Sequence, residues 1–156
     1  MHFVTKTYGH ECGLSACFRQ HRASSHCQFL HGYPLSFKFT FAASELDENG
    51  WVINFGGLKP LKKWLEDQFD HKLLVAQDDP ALERLLSLGD GRGRFDSAPL
   101  AQINVVEAVG CEAFATMAWK RAEQLLDEME LSGRVTLTEV EVREHGANGV
   151  IYTGPR

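Results

Sequence analysis

Leu35-Ser36-Phe37-Lys38-Phe39-Thr40-Phe41 alternates apolar and polar side chains with a period of two. That period sends one leucine and three phenylalanines to one face of a strand, and serine, lysine and threonine to the other. A strand with one aromatic and one polar face predicts an antiparallel sheet covered on one side. If the strand begins early, His31 and Tyr33 share the parity of the aromatic face. Downstream, Glu45-Leu46-Asp47-Glu48-Asn49-Gly50 reads as a turn with Asn-Gly at its tip, and Trp51–Phe55 as a return strand. Together they predict an antiparallel hairpin.

Working outward, residues 2–9 read as a first strand closed by His10, and residues 11–30, without a clean period, as a long ordered loop of functional use. Gly56-Gly57 breaks the return strand. Leu58, Leu61, Leu65 and Phe69 then recur at helical spacing behind Pro60, and the helix ends near Asp70-His71. Asp78-Asp79-Pro80 opens a short helix with Leu82, Leu85 and Leu86, and Gly89–Arg94 reads as a flexible, exposed loop. A short strand is expected over Ala101–Val106. The longest helix is expected over Cys111–Glu130, with Phe114, Met117, Ala118, Arg121, Leu125 and Met129 as its stripe and Ser132-Gly133 as its stop. Val135–Glu144 is the last long strand. Its apolar parity shifts between Leu137 and Val140, which predicts a bulge. Ile151 and Tyr152 add one more short strand. Strands and helices grouped in this way predict one α+β domain over residues 1–156, with a small insertion around 78–100.

The 156 residues carry a formal net charge of -5. This argues against nucleic acid as a partner, which favours a clustered basic surface. The apolar runs are too short to span a bilayer, so no membrane is expected. Met1–Lys6 has no signal-peptide core, so the expected setting is cytoplasmic, and Cys12, Cys17, Cys27 and Cys111 are expected to stay reduced. Cys12, Cys17 and Cys111 read as small buried hydrophobes.

Cys27 has different neighbours. Ser25-His26-Cys27-Gln28-Phe29-Leu30-His31-Gly32-Tyr33 is the most chemically dense stretch of the chain. Four histidines lie between positions 10 and 31 (His10, His21, His26 and His31). A catalytic zinc site uses three protein ligands and keeps a fourth position open, so this density points to zinc, with His31 the leading candidate. Cys27 reads as a ligand, a buried thiol or an active thiolate. Asp70 beside His71 is a carboxylate able to orient an imidazole. Glu144, at a strand end, can hold the N–H groups of a heterocycle in a bidentate way. Glu112 lies at the start of the long helix, where it complements the helix dipole.

Several motifs, taken in order, resemble the 6-pyruvoyltetrahydropterin and 6-carboxytetrahydropterin synthase family. They are Cys27-Gln28-Phe29-Leu30-His31-Gly32, Gly50-Trp51-Val52-Ile53-Asn54-Phe55-Gly56-Gly57-Leu58-Lys59, Phe69-Asp70-His71-Lys72-Leu73-Leu74, Cys111-Glu112-Ala113-Phe114-Ala115, and Arg143-Glu144 followed by Ile151-Tyr152. The resemblance implies the tunnelling fold, an antiparallel four-stranded sheet with two long helices on one face. It also implies homo-oligomeric rings that stack, of hexamer type, with active sites between subunits. The implied substrate is 7,8-dihydroneopterin triphosphate. Cys27 would be the general base, Asp70 and His71 would assist proton transfer, and Glu144, with Glu112 near it, would bind the pterin. Zinc would polarise the side-chain hydroxyls. Cys27 four residues before His31 matches the carboxy-forming branch that supplies 7-deazapurines such as queuosine; a pyruvoyl-forming enzyme, or a binding relative without zinc and chemistry, are the alternatives. Tyr33 stands where the family has the second histidine of H-G-H, Asn54 where it has aspartate, and Val109-Gly110 where it has Pro-Thr. His10, favoured over His21, and His26 would then complete a zinc site with His31.

Overall fold

The computed structural model describes residues 1–89 and 98–155. Its strands are β1 (His2–Tyr8), β2 (Leu14–Phe18), β3 (His31–Ala43), β4 (Lys72–Ala76), β5 (Gln102–Val106), β6 (Thr136–Arg143) and β7 (Gly149–Tyr152). Its helices are α1 (Lys59–Phe69), α2 (Leu82–Leu86) and α3 (Cys111–Glu128). The strand β3 is the axis. Over its second half, Phe37–Ala43 pairs with β1 on one edge and Ser36–Ala42 pairs with β6 on the other, and β6 pairs with β7. The antiparallel pairing expected from the alternation is present, and the four strands are those the family resemblance implied. Over its first half, His31–Leu35 pairs with β2, and the parallel pairs β2–β4 and β4–β5 extend the sheet to seven strands. The stretch from His2 to Phe18 thus runs along a single edge of β3, interrupted by a 3-10 turn at His10–Cys12 and by Gly13, whose φ of 68° closes that turn.

Both long helices cover the aromatic face. Leu35, Phe37, Phe39 and Phe41 are fully buried. The Phe69 ring of α1 lies 4.9 Å from Phe37 and 5.1 Å from Phe114 of α3. The buried face of α3 is Phe114, Ala115, Ala118, Trp119, Ala122, Leu125 and Leu126. Met117 and Arg121, assigned to this stripe from sequence, are half-buried at its margin, and Arg121 reaches Glu128 instead. The helix stops earlier than Ser132-Gly133. Glu130 takes the left-handed conformation (φ 57°), its N–H donates to the Asp127 carbonyl, and the Leu131 N–H donates to the Leu126 carbonyl. The expected bulge is present: Thr40 faces Glu139 and Phe41 faces Leu137, so Thr138 is the extra residue, and its hydroxyl donates to the Thr40 carbonyl.

The return strand Trp51–Phe55 does not form. Both edges of β3 are already taken by β1 and β6, so no ladder is open to it. Val52 and Ile53 are both buried, which breaks alternation, while Trp51 and Phe55 are each 47% exposed. The Arg134 guanidinium donates to the carbonyls of Glu45, Trp51 and Val52 in place of a ladder. The turn before it forms, with Gly50 at φ 79° and the Asp47 carboxylate accepting from the N–H groups of Asn49 and Trp51. Residues 11–30, read as loop, contain β2, whose buried Leu14, Ala16 and Phe18 alternate with the small residues Ser15 and Cys17. The strand β4 was not assigned from sequence; Leu73–Ala76 are buried without alternation, as a parallel strand covered on both sides requires. Of the cysteines, only Cys111 is buried; Cys17 and Cys27 are half-buried and Cys12 is exposed. Asp90–Arg94, part of the expected Gly-Arg loop, lies outside the described residues. No helix among them is long and apolar enough to cross a membrane.

Candidate active site

The early start of β3 places His31 and Tyr33 on the helix-covered face, and β2 adds Phe18 directly across from His31. The three rings pack together: Phe18 to His31 at 5.3 Å, His31 to Tyr33 at 5.4 Å edge-on, and Phe18 to Tyr33 at 6.3 Å. Phe18 is 1% exposed and rests edge-on against Phe114 at 5.2 Å. Tyr33 also meets His145, just past β6, at 5.9 Å. The Nδ1 of His31 donates to the Phe29 carbonyl at 2.7 Å, which leaves Nε2 with its lone pair in the neutral ring.

Cys27 sits in a 3-10 turn, His26–Gln28, whose first N–H groups are capped by Ser25. This loop is tied down rather than free. The Gln20 N–H donates to the Cys27 carbonyl at 2.8 Å, and Arg19 Nη1 donates to the Gln28 carbonyl at 3.3 Å. The remaining Arg19 N–H groups grip Asp79 with two bonds of 2.8 Å.

Next to it lies a polar cleft of about 360 Å³, lined by Gln20, Gly110, Cys111, Glu112, Glu144 and Asn148. It brings together Glu144, from the end of β6, and Glu112, from the first turn of α3. Gly110 has φ 110°, open only to glycine, and a Cβ there would stand 2.2 Å from the Gln20 amide nitrogen. That close approach lets Gln20 donate to the Val109 carbonyl at 3.1 Å while its side chain lines the cleft. Burial, then Glu144 and Glu112, push the Cys111 thiol up to about 12, so it stays protonated. Burial, then Glu144, Cys27 and Cys111, push the Tyr33 phenol up, so it also stays protonated. Cys111 and Glu144 line this cleft, and Gln20, which lines it too, holds the Cys27 carbonyl through its backbone N–H. Gln20 and Phe18 were not singled out from sequence, and Cys111 was read only as a small buried hydrophobe; the departure Val109-Gly110 was a signal for Gln20 alone.

Asp70 and His71 do form a dyad, with Nδ1 2.8 Å from Oδ1. His71 takes the left-handed conformation at φ 54°, and the Ser15 N–H donates to the same Asp70 oxygen at 3.3 Å. The dyad therefore sits by the Leu14 end of β2, while the Cys27 loop follows the Phe18 end. Among the described residues no hydrogen bond or ion pair joins the dyad to Cys27.

The expected metal ligands do not assemble. Among the described residues no three His, Cys, Asp or Glu side chains converge to hold a metal ion. His10 belongs to the turn between β1 and β2, with Nδ1 on the Pro34 carbonyl. His26 opens the exposed turn before Cys27. His21, the rival first ligand, lies 3.6 Å from Asp78 and 4.0 Å from Asp79. His31 is left between two aromatic rings. The donor set present does not fit zinc.

A profile of the 6-pyruvoyl tetrahydropterin synthase family matches residues 9–155, and the chain belongs to that family. The fold agrees. An uncharacterized protein from Wolinella succinogenes superposes with a TM-score of 0.78 at 18% identity, covering 99% of this chain and 98% of that one. A catalytic-residue variant of Plasmodium vivax 6-pyruvoyltetrahydropterin synthase superposes at 0.67 with 13% identity over 97% of this chain and 98% of the other. These likenesses show the fold, as the tunnelling-fold resemblance implied. In sequence, the chain is similar to 6-carboxy-5,6,7,8-tetrahydropterin synthase from Rickettsia typhi, 48% identical over 63 residues, which is 38% of this chain and 46% of the relative. It is also similar to the protein of that name from Aquifex aeolicus, 24% identical over 140 residues, 90% of this chain and 83% of the other. The match to the first of these thus spans about half of that relative's length.

Proposed function

We propose that the protein is a lyase acting on a pterin triphosphate, with 7,8-dihydroneopterin triphosphate as substrate and 6-carboxytetrahydropterin as product, on the route to 7-deazapurines such as queuosine. The observation that carries this reading is the cleft that pairs Glu144 with Glu112 beside the anchored Cys27 loop. A carboxylate pair suits the amino and ring N–H groups of a pterin. With the ring held there, its side chain runs toward Cys27. Cys27, as general base, takes a proton from the side chain, and the carbon–oxygen bond to triphosphate breaks with its electron pair leaving on the triphosphate. For the carboxy product, water then adds at the first side-chain carbon and the bond to the second carbon breaks, its electron pair taking a proton so that the fragment leaves as acetaldehyde. His71, oriented by Asp70, returns a proton. Because the dyad stands at the far end of β2, this role calls for a dyad from a neighbouring subunit, in line with the ring assembly that the family resemblance implies. A cytoplasmic setting goes with this reading.

The test is incubation of the protein with 7,8-dihydroneopterin triphosphate. Triphosphate release is expected, with acetaldehyde as the by-product of the carboxy-forming route; release without acetaldehyde indicates the pyruvoyl route. Release that survives Cys27→Ala removes the mechanism. One observation favours a second reading, a pterin-binding protein without this chemistry: the aromatic surroundings of His31. In that case a pterin binds and no triphosphate is released.

A further inference from the structure

We infer that the site of this protein works without a resident metal ion, the place expected for zinc being filled by the packed rings of Phe18, His31 and Tyr33, with the Tyr33 hydroxyl meeting the polar side chain of the ligand directly. The identity of that ligand rests on the pterin reading above; the metal part does not.

Zinc at a catalytic site needs three nitrogen, sulfur or oxygen ligands. His31 is one imidazole. Its neighbour across the strand pair is Phe18, which carries no ligand atom, and its neighbour on the same face of β3 is Tyr33. A phenol ionises near pH 10, so at neutral pH it offers a hydroxyl rather than an anionic ligand. The rings of Phe18 and Tyr33 stand 5.3 and 5.4 Å from the His31 ring, so both places beside the imidazole hold an aromatic ring rather than a second and third nitrogen ligand. Phe18 is also part of the core, wedged against Phe114.

The other histidines are held elsewhere: His145, whose ring meets Tyr33, takes the Ala147 N–H on Nδ1 and has Nε2 3.3 Å from the Asn148 amide. His10 is committed to the turn between β1 and β2. His21 lies among Asp78 and Asp79, and the chain on either side of it is fixed by Arg19 to Asp79 and by Arg22 to Asp78. His26 belongs to a capped turn whose following residue is held by Gln20. Tyr33, by contrast, is half-buried on the same strand face as His31, and its ring meets that of His145, the residue after Glu144, at 5.9 Å, while Cys27 lies in the loop that leads into its strand. That is the path a ligand side chain takes from the carboxylate cleft to the thiol. Where a Lewis acid would polarise a hydroxyl or carbonyl on that side chain, the Tyr33 O–H donates a hydrogen bond to it.

The experiment begins with protein purified without chelators and dialysed against excess zinc, then freed of loose metal. Metal analysis is expected to find zinc far below one per chain and unchanged by His31→Ala. One zinc per chain that His31→Ala removes overturns the inference. The double variant Phe18→His, Tyr33→His supplies the missing donors, and it is expected to gain a zinc that His31→Ala then abolishes. A folded double variant that stays metal-free shows that the ring cluster does not occupy a ligand place. If the double variant does not fold, the measurement on the unaltered protein decides. The second arm titrates neopterin, which lacks the triphosphate, in the presence and absence of EDTA. Affinity is expected to be insensitive to EDTA and to fall about tenfold in Tyr33→Phe, the loss of one hydrogen bond. Equal affinity for Tyr33→Phe and unaltered protein removes the role of Tyr33. Absence of any neopterin binding defeats the pterin reading while leaving the metal result standing.

Discussion

Glu144 and Gly110 carry the sharpest expectations for single residues. A carboxylate that pairs with ring N–H groups contributes through charge as well as geometry. Glu144→Gln keeps the shape and loses the charge, so KM for the pterin substrate should rise about tenfold to a hundredfold, the equivalent of a charged hydrogen bond. Glu112→Gln should have the same direction and a smaller size, because Glu112 also serves the N-terminus of α3. Steady-state kinetics of the two variants checks both. Gly110→Ala puts a Cβ onto Gln20 and forces a φ that side chains avoid. The expected cost is about 1–3 kcal/mol in urea unfolding. Gln20→Ala in the same chain should recover only part of it, since it removes the clash and leaves the backbone strain. At this scale the sequence singles out Cys27, His31, Glu112 and Glu144 as candidates, because each carries recognisable chemistry in a motif; the structure sets Glu112 and Glu144 on one cleft and His31 beside the rings of Phe18 and Tyr33. Phe18 and Gln20 were not singled out. A phenylalanine and a glutamine have no signature of their own; what gives them meaning is the strand pairing that sets Phe18 across from His31 and the glycine that admits Gln20.

Among the elements, the loop from Arg19 to Leu30 depends most on one contact. Asp79 is 5% exposed and takes two bonds from Arg19, which also holds the Gln28 carbonyl beside Cys27. Asp79→Ala leaves a partly buried guanidinium unpaired. Since Arg19 keeps a quarter of its side chain exposed, the loss should be about 2–3 kcal/mol, below that of a fully buried pair. Alkylation of Cys27 should accelerate in the same variant as the loop loosens, and iodoacetamide labelling with mass spectrometry reads it. The hydrogen bonds from Arg19, against the opposing effect of burial, hold the Asp79 carboxyl below its usual value. The stability this provides is complete above the unfolded-state value near 3.9 and is lost as the pH falls through the lower folded value. Acid unfolding of the unaltered protein should therefore show a loss in that window that Asp79→Asn lacks. The strand β3 and the helices α1 and α3 were readable because alternation and 3.6-residue spacing report a face directly. The strands β2 and β4 were hidden for opposite reasons: β2 alternates with residues too small to give contrast, and β4 is buried on both sides and does not alternate. The expected strand Trp51–Phe55 had good local propensity and no open edge to join.

For the molecule as a whole, two strands end the antiparallel sheet: among the described residues β1 pairs only with β3, and β7 only with β6. Beside β1, the exposed Phe3, Leu46, Trp51 and Phe55 line a groove of about 400 Å³. Unpaired edges and exposed aromatics together are the marks of a surface that pairs with another chain. The native mass should be a multiple of 17.5 kDa, as light scattering after size exclusion would measure. Trp51→Glu should lower both that mass and triphosphate release, if the dyad that serves Cys27 comes from a neighbouring subunit as proposed above. Activity in a monomeric Trp51→Glu protein would refute the shared site. From sequence alone came the α+β class, an antiparallel sheet covered on its aromatic face, the bulge near Thr138, and Cys27, Asp70-His71 and Glu144 as candidates for chemistry; the two long helices on one face came with the family resemblance. All but the last follow from periodicity and residue type, which are local properties of the chain. Only the tertiary structure decided which of those groups meet. It gathered Glu112 and Glu144 into one cleft, set the dyad at the far end of β2, and put the rings of Phe18 and Tyr33 beside His31 where the count of histidines had promised a metal. The physical reason is that convergence depends on register across paired strands, and a register between residues as distant as Phe18 and His31, or Ser36 and Arg143, is fixed only when the whole sheet closes on its core.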